Sequence, residues 1–259
     1  MRVVRPSGKP GAQPSGALVA WGNAWLTGHV GLDEAADAME AAAGPQVIGE
    51  ITARRGLADL RVAGMRALRL ALPVPGDPLG LTGPTRFNTA ALDAGAAVIA
   101  VLPDRAVGLV PAEDRRGSSY VGIRWTALAA DNGVPDVPPL PEADRQLTLA
   151  VRETTDILLT VDDVSGASGR RSDIAEALSA LRTGDESCDA LAPGYPPRAH
   201  GVAALAGRLA VVVDLAQGLA GHNLTADQMA RRADALRLLD RAVRRARVAA
   251  YNSAFDTVP

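Results

Sequence analysis

The sequence predicts an α+β protein, with an N-terminal α/β part built on a mixed sheet of about five strands and a C-terminal antiparallel helical bundle. Three observations carry this expectation. Before residue 130, short runs alternate apolar and polar residues at period two, whereas after residue 145 apolar residues recur three and four apart. Four prolines crowd residues 134–144, a composition that stiffens the chain between two folded parts. Val202, Leu209 and Ala216 repeat every seven residues, and Leu205, Val212 and Leu219 repeat with them at an offset of three, the seam of a helix that faces another helix. The expected organisation is an arm over 1–14, an α/β domain over 15–133, a Pro-rich linker over 134–144 and a four-helix bundle over 145–259.

Residues 1–14 hold three prolines and two glycines and read as a loose arm. Ser15 is placed to cap a helix through Leu26, on which Trp21, Trp25 and Leu18 share a face and close one end of a core. A second helix spans 33–43, with Asp33 and Glu34 in its first turn, and Gly44-Pro45 stops it. Residues 46–52 alternate as a strand, 54–63 form a short helix, and 65–74 a second strand with Leu68, Leu70, Leu72 and Val74 on one side. A Pro/Gly-rich loop leads to a helix over 85–94 ended by Gly95. A wholly apolar strand over 96–102 then turns at 103–105 into a return strand over 106–111. Residues 120–128 alternate again, with Val121, Ile123 and Trp125 inward. Helical connections imply parallel neighbours among the early strands, and tight turns imply antiparallel ones among the later.

In the second half, helices are expected over 142–164, 172–182, 197–221 and from a capping box at Thr225–Gln228 to Tyr251. The segment 197–221 is apolar almost all round, so it is expected to be the central rod, buried on nearly every side. Arg208 and Asp214 interrupt it and argue against a membrane span. The last helix carries Arg237, Arg241 and Arg245 at four-residue intervals, interleaved with Asp227, Asp234 and Asp240, and reads as a solvated face rather than a nucleic-acid surface.

Aromatic residues make up only 3% of 259, so Ala, Val and Leu must fill the core. A net charge of −2 gives no long-range attraction to nucleic acid or anionic lipid. The single cysteine, Cys188, cannot form an internal disulfide and sits among carboxylates that disfavour its thiolate. His29, His200 and His222 are scattered and fit no metal-binding spacing, and Asp156 with Asp162-Asp163 reads as a solvated helix end; no metal and no cofactor are expected. The apolar stretch near the N-terminus lacks a cleavage site, so a cytoplasmic location is expected.

The candidate binding loop runs from Leu72 to Asn88. Ligands of α/β sheets gather where strands lead into helix N-termini, and a helix start favours an anion. There Asp77, Thr82, Thr85, Arg86 and Asn88 converge, with Arg86 suited to a bidentate grip on a carboxylate or phosphate and Asp77 suited to act as a base. Gly76, Gly80 and Gly83 match neither the dinucleotide nor the P-loop spacing. With no catalytic set elsewhere, the expected function is a soluble interaction or regulatory protein that self-associates through its helical half, its partner a protein or a second copy. The alternative is a small-anion binder or enzyme using the 72–88 loop.

Overall fold

Among the described residues, period-two alternation folds into six strands: β1 (Gln46–Ile48), β2 (Ile51–Thr52), β3 (Ala67–Ala71), β4 (Ala97–Val101), β5 (Ala106–Arg116) and β6 (Tyr120–Ala130). They join in one sheet in the order β2-β1-β6-β5-β4-β3. The structure is a computed structural model and describes residues 12–116, 120–165, 191–218 and 225–255. Only β1 and β6 pair in parallel; every other pair is antiparallel. This corrects the expected parallel start. Residues 72–94 make an out-and-back excursion that returns the chain to the end of the sheet it left, so Ala71 pairs with Ala97. The run 46–52 is likewise two strands, bent at Gly49, whose φ of 61° is the left-handed conformation that glycine adopts without strain.

Each face of the sheet has its own cover. Helix α4 (Thr85–Ala94) lies on one face, where Phe87 and Ala91 pack with Ala71, Ala97, Ile99, Ala106 and Val110. The other face presents Leu68, Leu70, Val98, Ala100, Leu109, Ile123 and Trp125 to α1 (Ala12–Leu26), α2 (Leu32–Ala43), α3 (Ala53–Val62) and the helical half. β4 is buried on both faces, which is why its sequence is apolar throughout rather than alternating. Gln46 ties the layers together: it accepts from Trp125 Nε1 at 3.0 Å and donates to the Met39 carbonyl at 2.9 Å.

The edge strand β3 is closed by side chains. Asn23 of α1 accepts from the Leu68 N–H at 2.8 Å and donates to the Leu68 carbonyl at 2.9 Å. Asn252, at the end of the last helix, treats Leu70 in the same way, at 2.7 and 3.1 Å. Two amides thus stand in for a missing strand and satisfy backbone groups that would otherwise invite pairing with another chain. Asn23 also donates to the Tyr195 hydroxyl at 3.4 Å, which in turn donates to the Tyr251 carbonyl at 3.0 Å.

Three long helices make up the described part of the second half: α5 (Leu140–Ser165), α6 (Pro197–Gly218) and α7 (Ala226–Asn252). The expected helix over 172–182 lies outside the described residues. α5 starts inside the expected linker, because Pro139 supplies the first acceptor carbonyl and Pro141 falls in the first turn, where a missing N–H costs nothing. α1 likewise starts at Ala12, ahead of Ser15. Ser15 is therefore no cap; its hydroxyl is fully buried and without a hydrogen-bond partner. The capping box of α7 forms as its spacing predicts, with Thr225 and Gln228 each bonding the other's backbone N–H.

The centre of the bundle is α7, not α6. α7 packs on both α5 and α6 and reaches β3 and α1, burying Leu236, Leu239, Val243, Ala246 and Ala250. α6 lies along α7 and buries Ala199, Val202, Ala203, Ala206, Gly207, Val213 and Ala216. Its other large side chains are less covered: Leu205, Leu209, Val211 and Val212 are half-buried and Leu215 is exposed. The expectation of burial on every side therefore fails for this helix. By length and composition alone α6 is also long and apolar enough to cross a membrane, a test that the core helix of a folded domain passes equally.

Candidate functional site

The loop after β3 begins with a tight turn in which Val74 and Asp77 exchange backbone hydrogen bonds at 3.0 and 2.9 Å. Gly76 takes a φ of 82° within it. This turn directs the Asp77 side chain away from α4 and towards α7, where it is buried. Arg244 meets it with Nη2 3.2 Å from Oδ2, and Arg245 with Nη2 3.1 Å from Oδ1. Arg241 Nε stands farther off, 3.7 Å from Oδ2, on a side chain that is 60% exposed. Arg244 spends its remaining donors on Asp240 at 2.9 Å and the Leu72 carbonyl at 3.2 Å; Arg245 also reaches Asp136 at 3.3 Å. One carboxylate from the sheet half thus clamps the central helix of the other half.

The remaining loop residues do other things. Thr82 donates to the Asp131 carbonyl at 2.6 Å, and Asn88 accepts from the Gly83 N–H at 3.1 Å, so both fix the path of the loop. Thr85 and Arg86 lie exposed in the first turn of α4, behind Pro84 at the N-cap. Asp77 and Arg86 therefore face different elements. Sequence reasoning placed Asp77 beside Arg86 as a candidate base and named no partner for it. Its close partners are Arg244 and Arg245 of α7, and pairing with residues more than 160 positions away leaves no local trace.

Beside the clamp, a cleft of about 390 Å³ opens between α5 and α7, lined among others by Gln146, Leu149, Glu153, Leu238, Arg241 and Arg245. Between α6 and α7, burial and the neighbouring Asp240 raise the proton affinity of Asp214 above the ordinary carboxylate range, against a weaker pull from Arg247. Burial also raises the Tyr195 phenol, which the hydrogen bond from Asn23 offsets only in part. No cluster of three or more His, Cys, Asp or Glu side chains that could hold a metal occurs among the described residues. His200 sits edge-on to Tyr195 with ring centroids 6.5 Å apart; Cys188 and His222 lie outside the described residues.

Two family models together cover residues 15–248. One, described as the Rv1486c-like protein, N-terminal domain, covers residues 15–143, and its C-terminal companion covers 141–248. The protein named Rv1486c from Mycobacterium tuberculosis is 30% identical over 93% of this chain and 96% of its own length. The chain belongs to the Rv1486c-like family. A second relative, ML1804 of Mycobacterium leprae, matches at the same 30% identity over 93% of this chain and 96% of its own length. MAV321 of Mycobacterium avium is 32% identical over 60% of this chain and 64% of its own length. No solved structure matches the chain at a significant level. The two family models meet at residues 141–143, in the first turn of α5.

Proposed function

We propose that this member of the Rv1486c-like family is an interaction protein that self-associates through the outer face of α6. The observation that carries the reading is apolar bulk left on the less covered side of that helix: Val211 and Val212 are half-buried and Leu215 is exposed, while Ala199, Val202, Ala203, Ala206, Gly207, Val213 and Ala216 are buried. A helix with one covered side normally keeps its bulk inside and its charge outside. Here Arg208 and, near the helix start, Arg198 are the charges on an otherwise apolar outer stripe, which selects an apolar partner, and a second copy presents the same stripe. Fully covering a Val or Leu side chain contributes about 1.5–3 kcal/mol, so several together can offset the cost of association.

Light scattering on the eluting protein at micromolar concentration tests the idea. A dimer mass is expected, falling to the monomer in Val212→Glu and Leu215→Glu. A parent protein that is monomeric, or one that floats with neutral lipid vesicles through the same face, removes the reading.

A small-anion site at the start of α4 is the second reading, favoured by Thr85 and Arg86 lying exposed on a first turn that carries no side-chain cap. Titrating inorganic phosphate against the parent and Arg86→Ala decides it, and equal responses discard it.

A further inference from the structure

The cleft between α5 and α7 has two polar ends and an apolar middle. Thr154 of α5 donates to the Ala235 carbonyl of α7, while Asp136, just ahead of α5, meets Arg245. The two helices therefore run antiparallel, which puts Arg245 at the Gln146 end and leaves Glu153 at the other. Seven helical residues separate Gln146 from Glu153, about 10 Å at 1.5 Å per residue. Between them Leu149 and Leu238 stand 62% and 38% exposed, an unusual outlay of leucine on a lined cleft.

The arginine end holds donors that the protein's own carboxylates leave unused. Arg245 gives one terminal nitrogen to Asp77 and Asp136, yet its Nε–H is buried and finds no acceptor. Arg241 is kept at 3.7 Å from Asp77 because Arg244 already occupies the nearer approach to Oδ2. Arg241 lines the cleft on a side chain that is 60% exposed, and its planar fork is matched to a carboxylate.

We propose that this cleft binds a monocarboxylate with an extended apolar body. The carboxylate is held by Arg241 and Arg245, and the hydrocarbon lies over Leu149 and Leu238. Glu153 at the far end excludes a second negative charge, so dicarboxylates are poor ligands. The site is separate from the outer face of α6 and does not depend on self-association.

Octanoate is the probe, titrated below its aggregation range into the full-length protein and followed by calorimetry, with octan-1-ol and octylamine as controls. Saturable binding of octanoate is expected, weakened at least tenfold in Arg241→Gln and severalfold in Leu149→Ser. Arg241 contributes little to the clamp on Asp77, so the first variant keeps the fold; the second alters an exposed residue on the other helix. An absence of saturable binding overturns the proposal. So does octan-1-ol binding as tightly as octanoate, or octanoate binding to Arg241→Gln as it binds to the parent.

Discussion

A buried carboxylate facing arginines is worth most when each partner is itself shielded. Asp77 is 8% exposed at the side chain, Arg244 13% and Arg245 16%, whereas Arg241 is 60% exposed. Removing the charge of Asp77 takes the most buried counter-charge from two desolvated guanidinium groups, which keep only Asp240 and Asp136. Asp77→Asn should therefore cost about 3 kcal/mol, the lower end for breaking a buried pair, since the amide retains some hydrogen bonds. Arg241→Gln should cost less than about 1 kcal/mol, as exposed pairs do. Urea unfolding of the two variants separates these outcomes, and equal losses would mean that Asp77 is not the centre of the clamp. Asp214 presents the reverse case. Its proton affinity rises on folding, chiefly through burial and then through Asp240, so its charged form opposes the folded state. Stability from this group is complete below its ordinary value of 3.8 and is lost as pH climbs through the higher folded value. Asp214→Asn should accordingly raise the melting temperature at pH 7, with the gain vanishing as pH falls towards that ordinary value. A gain independent of pH would point to a cause other than ionisation.

At the scale of elements, the fit between α4 and the sheet depends on a missing side chain. A Cβ placed on Gly108 of β5 would lie 2.2 Å from the Phe87 ring, and Phe87 is itself fully buried. Gly108→Ala must displace that ring, at about 1–3 kcal/mol for overpacking, and should lower the urea midpoint without altering the slope. An unchanged midpoint would show that α4 slides freely over β5. Such fits explain what was readable in advance. The α4 boundaries follow from local rules: Gly95 ends the helix at a φ of 72°, as its place after an apolar period predicts. The capping box of α7 is equally local. Pairing direction was not legible, because the 72–84 loop decides whether β4 runs with or against β3, and its path depends on contacts with Asp131 and α7. The rank of α6 and α7 was misjudged for a related reason. Hydrophobicity shows how much a helix can bury, but α7 earns its central place through Leu236, Leu239, Val243 and Asn252, with its arginines paired at the rim. Of the candidate site, Asp77 was found and its partners were not, since an ion pair between distant segments leaves no spacing to read.

For the whole molecule, the question is whether the halves matched by the two family models are independent folding units. The packing argues that they are not. One continuous core runs from Leu18 and Val19 of α1 through Leu68, Leu70 and Trp125 of the sheet to Leu147 of α5, Val202 of α6 and Val243 of α7. The outer edge of β3 depends on Asn252 for both polar groups of Leu70, and Asp77 depends on Arg244 and Arg245 for its charge. Cutting the chain at residue 140 would bare Leu68 and Leu70, leave an edge strand half-closed, and take from Asp77 its two arginine partners. These losses fall on one side of the sheet, where α1, α2 and α3 cannot replace the layer that α5, α6 and α7 supply. The full chain should therefore melt in a single transition with equal calorimetric and van't Hoff enthalpies. A fragment ending at residue 140 should show no cooperative melt and should aggregate through β3, the strand whose edge it exposes. If that fragment instead melts cooperatively at the temperature of the full protein, the shared core contributes nothing to folding, and the clamp at Asp77 joins two domains that stand alone.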